Sequence, residues 1–473
     1  MTRALLAIAA ALWPCLPARA GLPARFGGDL RLALPALPRD LDPARAESAA
    51  DLLAARAVHA TLVEADASGG LRPGLLAALP EAEPGGRAFR LRLRPGLRFH
   101  SGAPLLAADV AASLLRLASP APASPHGWIA LPVKGADAVR AGRASALAGV
   151  EVLSDLELRV ELDVPFPAFP EALAALPAAV ARAPGDGAGP FMRAGEGQGG
   201  LRLAAFDGSF RGRPFADALL LLPQDARRAA RAMARGEIDL AARPETVPGA
   251  SAATPLAAVT ATWVLVGARR LPAEAAALRA ALSSVDRADL LRFVRGPAAP
   301  LASPLPPALW PGPVAPPAAA PPSPPRPGRR LSLLVPSGDV ARGAADRLQV
   351  KLFDLGVRVA VEPVGAEAFQ ARLADGDFDL ALLTRTLAAP TPAAAALEVA
   401  WALGGPAAAR RALERLAGTD PGAVAAVAAE EAMAVPLLAT GLTASARAGL
   451  HGLRPLRDGG LDPGELWMLP VAR

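Results

Sequence analysis

The chain has 473 residues, 52% apolar and only 20% charged, with 44 glycines and 51 prolines; at about 100 to 200 residues per domain, that is two or three domains, each able to bury a core. Its net charge of +6 and isoelectric point near 10.7 come from an arginine-rich, lysine-poor composition, with Lys134 and Lys351 the two lysines and no tyrosine or asparagine. The arginines are dispersed rather than clustered in one run, which argues against a nucleic-acid partner, and no stretch reaches the roughly 20 consecutive apolar residues of a membrane span.

Met1 to Ala20 has a basic start at Arg3, an apolar run from Ala4 to Trp13, a break at Pro14 and a small-x-small site, Ala18-Arg19-Ala20, before Gly21. This is the layout of a secretory signal peptide cleaved near Ala20. Cys15, the one cysteine, lies inside it behind Trp13 and Pro14 rather than the small and branched residues of a lipoprotein signal. The processed chain therefore has no disulfide, thiol nucleophile or thiolate metal site, as suits an exported protein of a bacterial periplasm.

Gly28 to Leu34 alternates and predicts a strand, followed by a Pro-rich turn to Pro43 and a helix over 48–63. Phe89 to Arg94 alternates with Arg90, Arg92 and Arg94 on one face, and Leu156 to Leu162 alternates with mostly acidic outward positions. If they share a sheet, those faces pair by charge; otherwise they are two solvated faces.

A device occurs twice further on. Ala226 to Arg235 leads into Gly236-Glu-Ile-Asp-Leu240, and Ala366 to Ala374 into Gly376-Asp-Phe-Asp-Leu380. Each glycine supplies a left-handed helix stop before an apolar strand. With Leu331 to Val335, a helix over about 340–355 and Val357 to Val361, this half predicts an α/β unit with a mostly parallel sheet. Between Gly296 and Arg329 lie fourteen prolines, a density that predicts a polyproline-like surface connector.

Catalytic signatures are absent. His59, His100, His126 and His451 are scattered, no GxSxG elbow occurs, and neither lysine has a serine three residues before it. Gly185 to Pro190 lacks the lysine of a phosphate loop. Glu237, Asp239, Asp377 and Asp379 read as solvated helix-end residues rather than acid/base pairs. No enzyme, metal or cofactor is expected.

The segment Leu93-Arg-Leu-Arg-Pro-Gly96-Leu-Arg-Phe-His100-Ser-Gly-Ala-Pro-Leu-Leu-Ala-Ala-Asp109, running on to Arg116, resembles the signature of family 5 extracellular solute-binding proteins, the peptide- and nickel-binding components of ABC importers. Similar matches follow along the chain: Leu41-Asp-Pro43, Leu71 to Ala77, Gly187-Ala-Gly-Pro-Phe191, Gly236 to Leu240, Leu278 to Arg287, Leu352 to Val359 and Gly376 to Leu380. In that family a helix-capping threonine usually stands at Leu106, an asparagine near Gly267, and aromatic residues in the cleft.

The resemblance implies an α/β, two-lobed periplasmic-binding-protein fold of type II with a ligand enclosed between lobes. Lobe I would span 21–262 plus 431–473, with an inserted subdomain near 47–185; lobe II would span 263–430, with the Pro-rich loop at 297–329. Ala261 to Val266 and Val435 to Thr440 are the hinge candidates. Ligands of open α/β lobes meet the carboxyl ends of strands, which selects Thr384, Arg385 and Thr386, with Arg385 suited to a carboxylate, and Arg243. Trp263 would wall the cleft or pack in the core, and Gly187 and Gly189 would offer backbone N–H groups. The implied function is capture of a peptide-like or other small solute by a monomer and delivery to an inner-membrane ABC permease. A non-transport receptor or structural protein on the same scaffold is the alternative, and a secreted hydrolase a third reading.

Overall fold

The computed structural model describes residues 24–197, 199–310, 330–337, 339–416 and 419–469. The expected signal peptide and most of the proline tract lie outside them. Two large sheets organise the rest. In the first the strand order is Ala252–Pro255, Thr443–Ala446, Leu240–Arg243, Asp29–Leu34, Ala218–Pro223, Gly200–Ala205 and Phe191–Gly197, with Asp29–Leu34 parallel to both neighbours. The second runs Ala298–Pro300, Ala434–Thr440, Thr260–Val266, Leu380–Thr386, Leu331–Pro336 and Val359–Val364.

Only Leu331–Pro336 and its two neighbours are parallel in the second sheet; Thr260–Val266 lies antiparallel between Leu380–Thr386 and Ala434–Thr440. The sheet is therefore mixed rather than mostly parallel. Both hinge candidates are adjacent central strands of this sheet, so the chain crosses between sheets just outside them, at 256–259 and 441–442. The strand Ala434–Thr440, which the sequence reading gives to the returning lobe I segment, pairs within the second sheet.

The duplicated device closes both sheets in the same way. Gly236 (φ 67°) and Gly376 (φ 64°) end their helices in the left-handed conformation. The second acid of each turn is buried rather than solvated. Asp239 accepts from the Arg31 backbone N–H at 2.9 Å and from the Arg31 and Arg447 guanidinium groups. Asp379 accepts from the Ser332 N–H at 3.0 Å and pairs with Arg270 at 3.2 Å. Each carboxylate ties its turn to the neighbouring strand; Glu237 and Asp377 are the half-exposed partners of Arg235 and Arg270.

In chain order, an inserted region with its own antiparallel sheet separates Asp29–Leu34 from Phe191–Gly197. There Ala88–Arg92 pairs with Glu157–Glu161, and Glu157 lies 3.3 Å from Arg90 and 3.4 Å from Arg92. Glu83 separates the like charges Arg90 and Arg159 by pairing with both. The signature helix, Ala107–Ala118, buries Val110, Leu114 and Leu117. Leu106 offers no cap, yet the Asp109 carboxylate accepts the Leu106 N–H at 2.8 Å and the Asp155 carbonyl accepts the Ala107 N–H at 2.8 Å, so the missing threonine is offset.

The helix expected over 48–63 stops at Val58. Ser48 and Asp51 form a capping box at its start, and at its end the Val58 carbonyl accepts the Gly189 N–H at 2.9 Å. The proline-rich segment is not wholly a surface connector: Ala298–Pro300 is an edge strand, where a proline is tolerated, and Leu301, Leu305 and Leu309 are buried.

Candidate functional site

A cavity of about 200 Å3 lies where the two sheets meet. Its walls are Leu34 to Ala36 and Ala242, at the carboxyl ends of parallel strands, the first turn of the Ala49–Val58 helix, and Leu256, Ala257, Val259, Gly441 and Leu442 from both chain crossings. Thr260 and Thr386 close it from the second sheet, their hydroxyls 3.0 Å apart. The lining is mostly small and apolar. The helix terminus there offers no free anion site, because the capping box of Ser48 and Asp51 already occupies it.

Of the residues selected from sequence, Thr386 alone lines this cavity. Thr384 faces Thr262 across the strand pair at 3.3 Å. Arg385, on the opposite strand face, reaches Glu47 at 2.5 Å and so joins the second sheet to the segment leading into the Ala49–Val58 helix. Trp263 is fully buried in the core. Arg243 points away from the cavity, donating to the Gln224 carbonyl at 2.6 Å, while its neighbour Ala242 faces it.

Gly187 and Gly189 are spacers rather than open donors. A Cβ on Gly187 would stand 2.2 Å from the Val58 carbonyl oxygen. The Gly189 N–H is taken by Val58, and the Gly187 N–H points to His100 Nδ1 at 3.4 Å. His100 Nε2 in turn lies 3.1 Å from the Gly189 carbonyl, and Ser101 holds Asp186 through its N–H and hydroxyl. The signature loop and the Gly187–Phe191 turn thus fix one another, and burial holds the His100 imidazole below its ordinary range.

A second cavity, of about 160 Å3, adjoins the first and is lined by charged groups including Arg72, Arg211, Asp462 and Glu465. Arg56 and Asp458, which form an ion pair, line both cavities. His59 borders the charged one; it is buried against the Leu41 carbonyl at 2.6 Å, and burial lowers its pKa to about 4. Among the described residues no group of acids, histidines or cysteines could hold a metal ion, and no helix is long and apolar enough to cross a membrane.

Sequence reasoning misses the crossing segments and the residues 456–461. The rule that ligands meet strand carboxyl ends points to the right place, but alternation along each strand decides which neighbour faces the cavity.

Two α/β sheets joined by two crossings around a cavity define a two-lobed binding protein. The chain belongs to family 5 of the bacterial extracellular solute-binding proteins, whose middle-region model matches residues 70–402. It is similar in fold to the murein tripeptide binding protein MppA of Escherichia coli, at 18% identity and TM-score 0.75, covering 93% of this chain and 98% of that one. It is also similar to Haemophilus influenzae OppA in complex with RPPGFSPFR, at 15% identity and TM-score 0.74, covering 94% and 100%, and to Helicobacter pylori DppA in complex with the peptide STSA, at 18% identity and TM-score 0.71, covering 94% and 98%. No curated protein matches the chain in sequence.

Proposed function

We propose that this protein captures a short peptide or peptide-like solute between its lobes and hands it to an inner-membrane ABC permease, acting as a periplasmic monomer without catalysis after removal of Met1 to Ala20. The observation that carries this reading is the cavity formed jointly by both sheets and both crossings. The peptide complexes of OppA and DppA support the ligand class. Taking sheet membership as the guide, one lobe comprises the first sheet with the inserted region, the other runs from Thr260 to Thr440, and 256–259 and 441–442 form the hinge. Closure around a ligand adds contacts absent from the open state, which is how binding shifts the lobes. Thr386 contacts the solute, whereas Arg385 holds the lobes through Glu47.

The test is denaturation of freshly purified protein with mass spectrometry of any released molecule, followed by calorimetric titration with a peptide library. Release or binding of a peptide is the expected result. Binding of none, together with binding of a sugar or metal chelate, overturns the ligand class.

A further inference from the structure

The helix Ala226–Ala234 carries Arg227, Arg228 and Arg231, with Arg235 as its C-cap. At about 100° per residue these four arginines fall within one arc of roughly 100°, opposite the buried Ala229, Ala232 and Met233. All four are exposed. Arg235 pairs with Glu237, whereas Arg227, Arg228 and Arg231 form no salt bridge among the described residues. The helix Asp339–Asp354 of the second sheet shows the usual alternative, a solvated face of mixed sign: Arg342 pairs with Asp346, and Arg347 and Lys351 share Asp289.

The single-sign face works against its own helix. Cations in the first turn stand at the positive end of the helix dipole. Arg227 and Arg231 repel at the i,i+4 spacing, as do Arg231 and Arg235, and Arg228 and Arg231 repel at i,i+3. Asp225, which caps the helix by accepting the Arg228 N–H at 2.8 Å, offsets only part of this. Helix stability therefore does not account for the placement, whereas an anionic partner that neutralises the whole face does. Beside the face lies an open groove of about 570 Å3, lined by Arg228, Arg231 and Arg235, in which Glu237 is the one acid.

We propose that the outer face of the Ala226–Ala234 helix is a docking surface for a bilayer of anionic phospholipids. The guanidinium fork matches two oxygens of a headgroup phosphate, and each arginine brought to an anionic surface strengthens partitioning by about fivefold. A bilayer fits this face better than an acidic protein does: its exposed positions are Arg227, Arg228, Arg231, Ala234 and Arg235, with no aromatic or large aliphatic side chain to anchor a protein interface. The face lies outside the cavity between the sheets, so docking needs no solute. It keeps the protein beside a membrane, which is where the transport reading has it work.

The test is co-sedimentation of the full processed chain with vesicles of phosphatidylcholine, alone or with about one third phosphatidylglycerol. Binding to the mixed vesicles alone is expected, falling as salt is added. The double variant R227Q/R231Q should bind them about tenfold or more weakly, while R292Q/R342Q, which removes the same charge from exposed positions near the second sheet, should stay within about twofold of wild type. R227Q/R231Q should also keep or raise the denaturation midpoint, because it relieves repulsion; a fall would make the arginines structural and overturn the proposal. Equal binding to both kinds of vesicle, or equal weakening by both double variants, overturns it too. So does release of the protein from mixed vesicles by inorganic phosphate at constant ionic strength, which would mark a site for small anions. Binding of R227Q/R231Q-sensitive protein to soluble polyglutamate but not to mixed vesicles would assign the face to an acidic protein instead. None of these results bears on the peptide reading, which the titrations above decide separately.

Discussion

The inserted region and the second lobe meet across a filled seam, whereas the two sheets meet around a hollow. In the seam, Trp128, Ile129 and Phe169 share one apolar cluster with Trp263, Leu383, Leu397 and Leu403. Some of the polar groups there are paired, while the indole N–H groups of Trp128 and Trp263 have no hydrogen-bond partner among the described residues. Glu398 is buried and accepts the Ala388 and Ala389 N–H groups at 3.0 and 2.9 Å, with His126 at 3.7 Å; Glu171 accepts the Thr391 hydroxyl at 2.5 Å. Arg140 stacks over Trp401 at 4.5 Å. The hinge-side contact instead leaves about 200 Å3 unfilled between small side chains. Dense packing resists change of shape, while a cavity keeps room for a ligand. The difference sets a packed, stabilising seam against a hinge-side hollow where the proposed function places the ligand.

Substitutions at the two places should therefore differ most in stability. Glu398→Ala strands two buried amides and should cost roughly 3 to 5 kcal/mol, read as a fall in the denaturation midpoint. Leu442→Ala, half-buried beside space that already exists, should cost about 1 kcal/mol. Equal losses would erase the contrast between seam and hollow.

Acidity separates the seam from the charged cavity that adjoins the hollow. His59 titrates at about 4 when folded against 6.5 in the unfolded chain, so the folded state disfavours its protonation. Its contribution, about 3 kcal/mol, is fully present above pH 6.5 and is lost as pH falls toward 4. Glu171 has the opposite sign: burial raises its pKa above the ordinary 4.5, so the seam loses stability as pH rises from 4.5 through the raised value. Denaturation midpoints against pH should lose the acid-side fall in His59→Gln and the opposing slope in Glu171→Gln.

Gly187→Ala should cost about 1 to 3 kcal/mol by forcing the turn away from Val58. Because that turn is held by His100 and Asp186, the loss should appear as faster hydrogen exchange in both the signature loop and the turn, without any change in the seam.

Much of this architecture is legible in the chain. The paired Gly-x-x-Asp-Leu turns, the alternating strands and the signature loop are local patterns, and each forms the expected element. Asp239 and Asp379 escape such a reading because their burial depends on Arg31, Arg447, Arg270 and Ser332, which are distant in sequence. Gly267 is similar: a Cβ here would stand 1.9 Å from the Phe378 carbonyl oxygen, a constraint set by tertiary approach. At the site, strand ends are identifiable but the facing residue is not, so the sequence rule selects Arg243 where the structure presents Ala242. Arg56 and Asp458, which line both cavities, are 402 positions apart, and no local pattern brings them together.

The smallest effect concerns Arg385, which joins the two regions being compared. Its ion pair with Glu47 is partly exposed, with side-chain exposures of 15% and 40%, and so contributes no more than about 1 kcal/mol. If the pair serves to hold the lobes together, Arg385→Gln and Glu47→Gln should weaken ligand binding by the same factor, up to about fivefold, and added salt should weaken wild type toward the level of both variants. If Arg385 instead holds a ligand carboxylate, the two variants must diverge: Arg385→Gln would lose affinity, whereas Glu47→Gln would free the guanidinium and gain it. Equal titration curves for the two variants are the expected outcome, because the arginine already has its carboxylate within the protein.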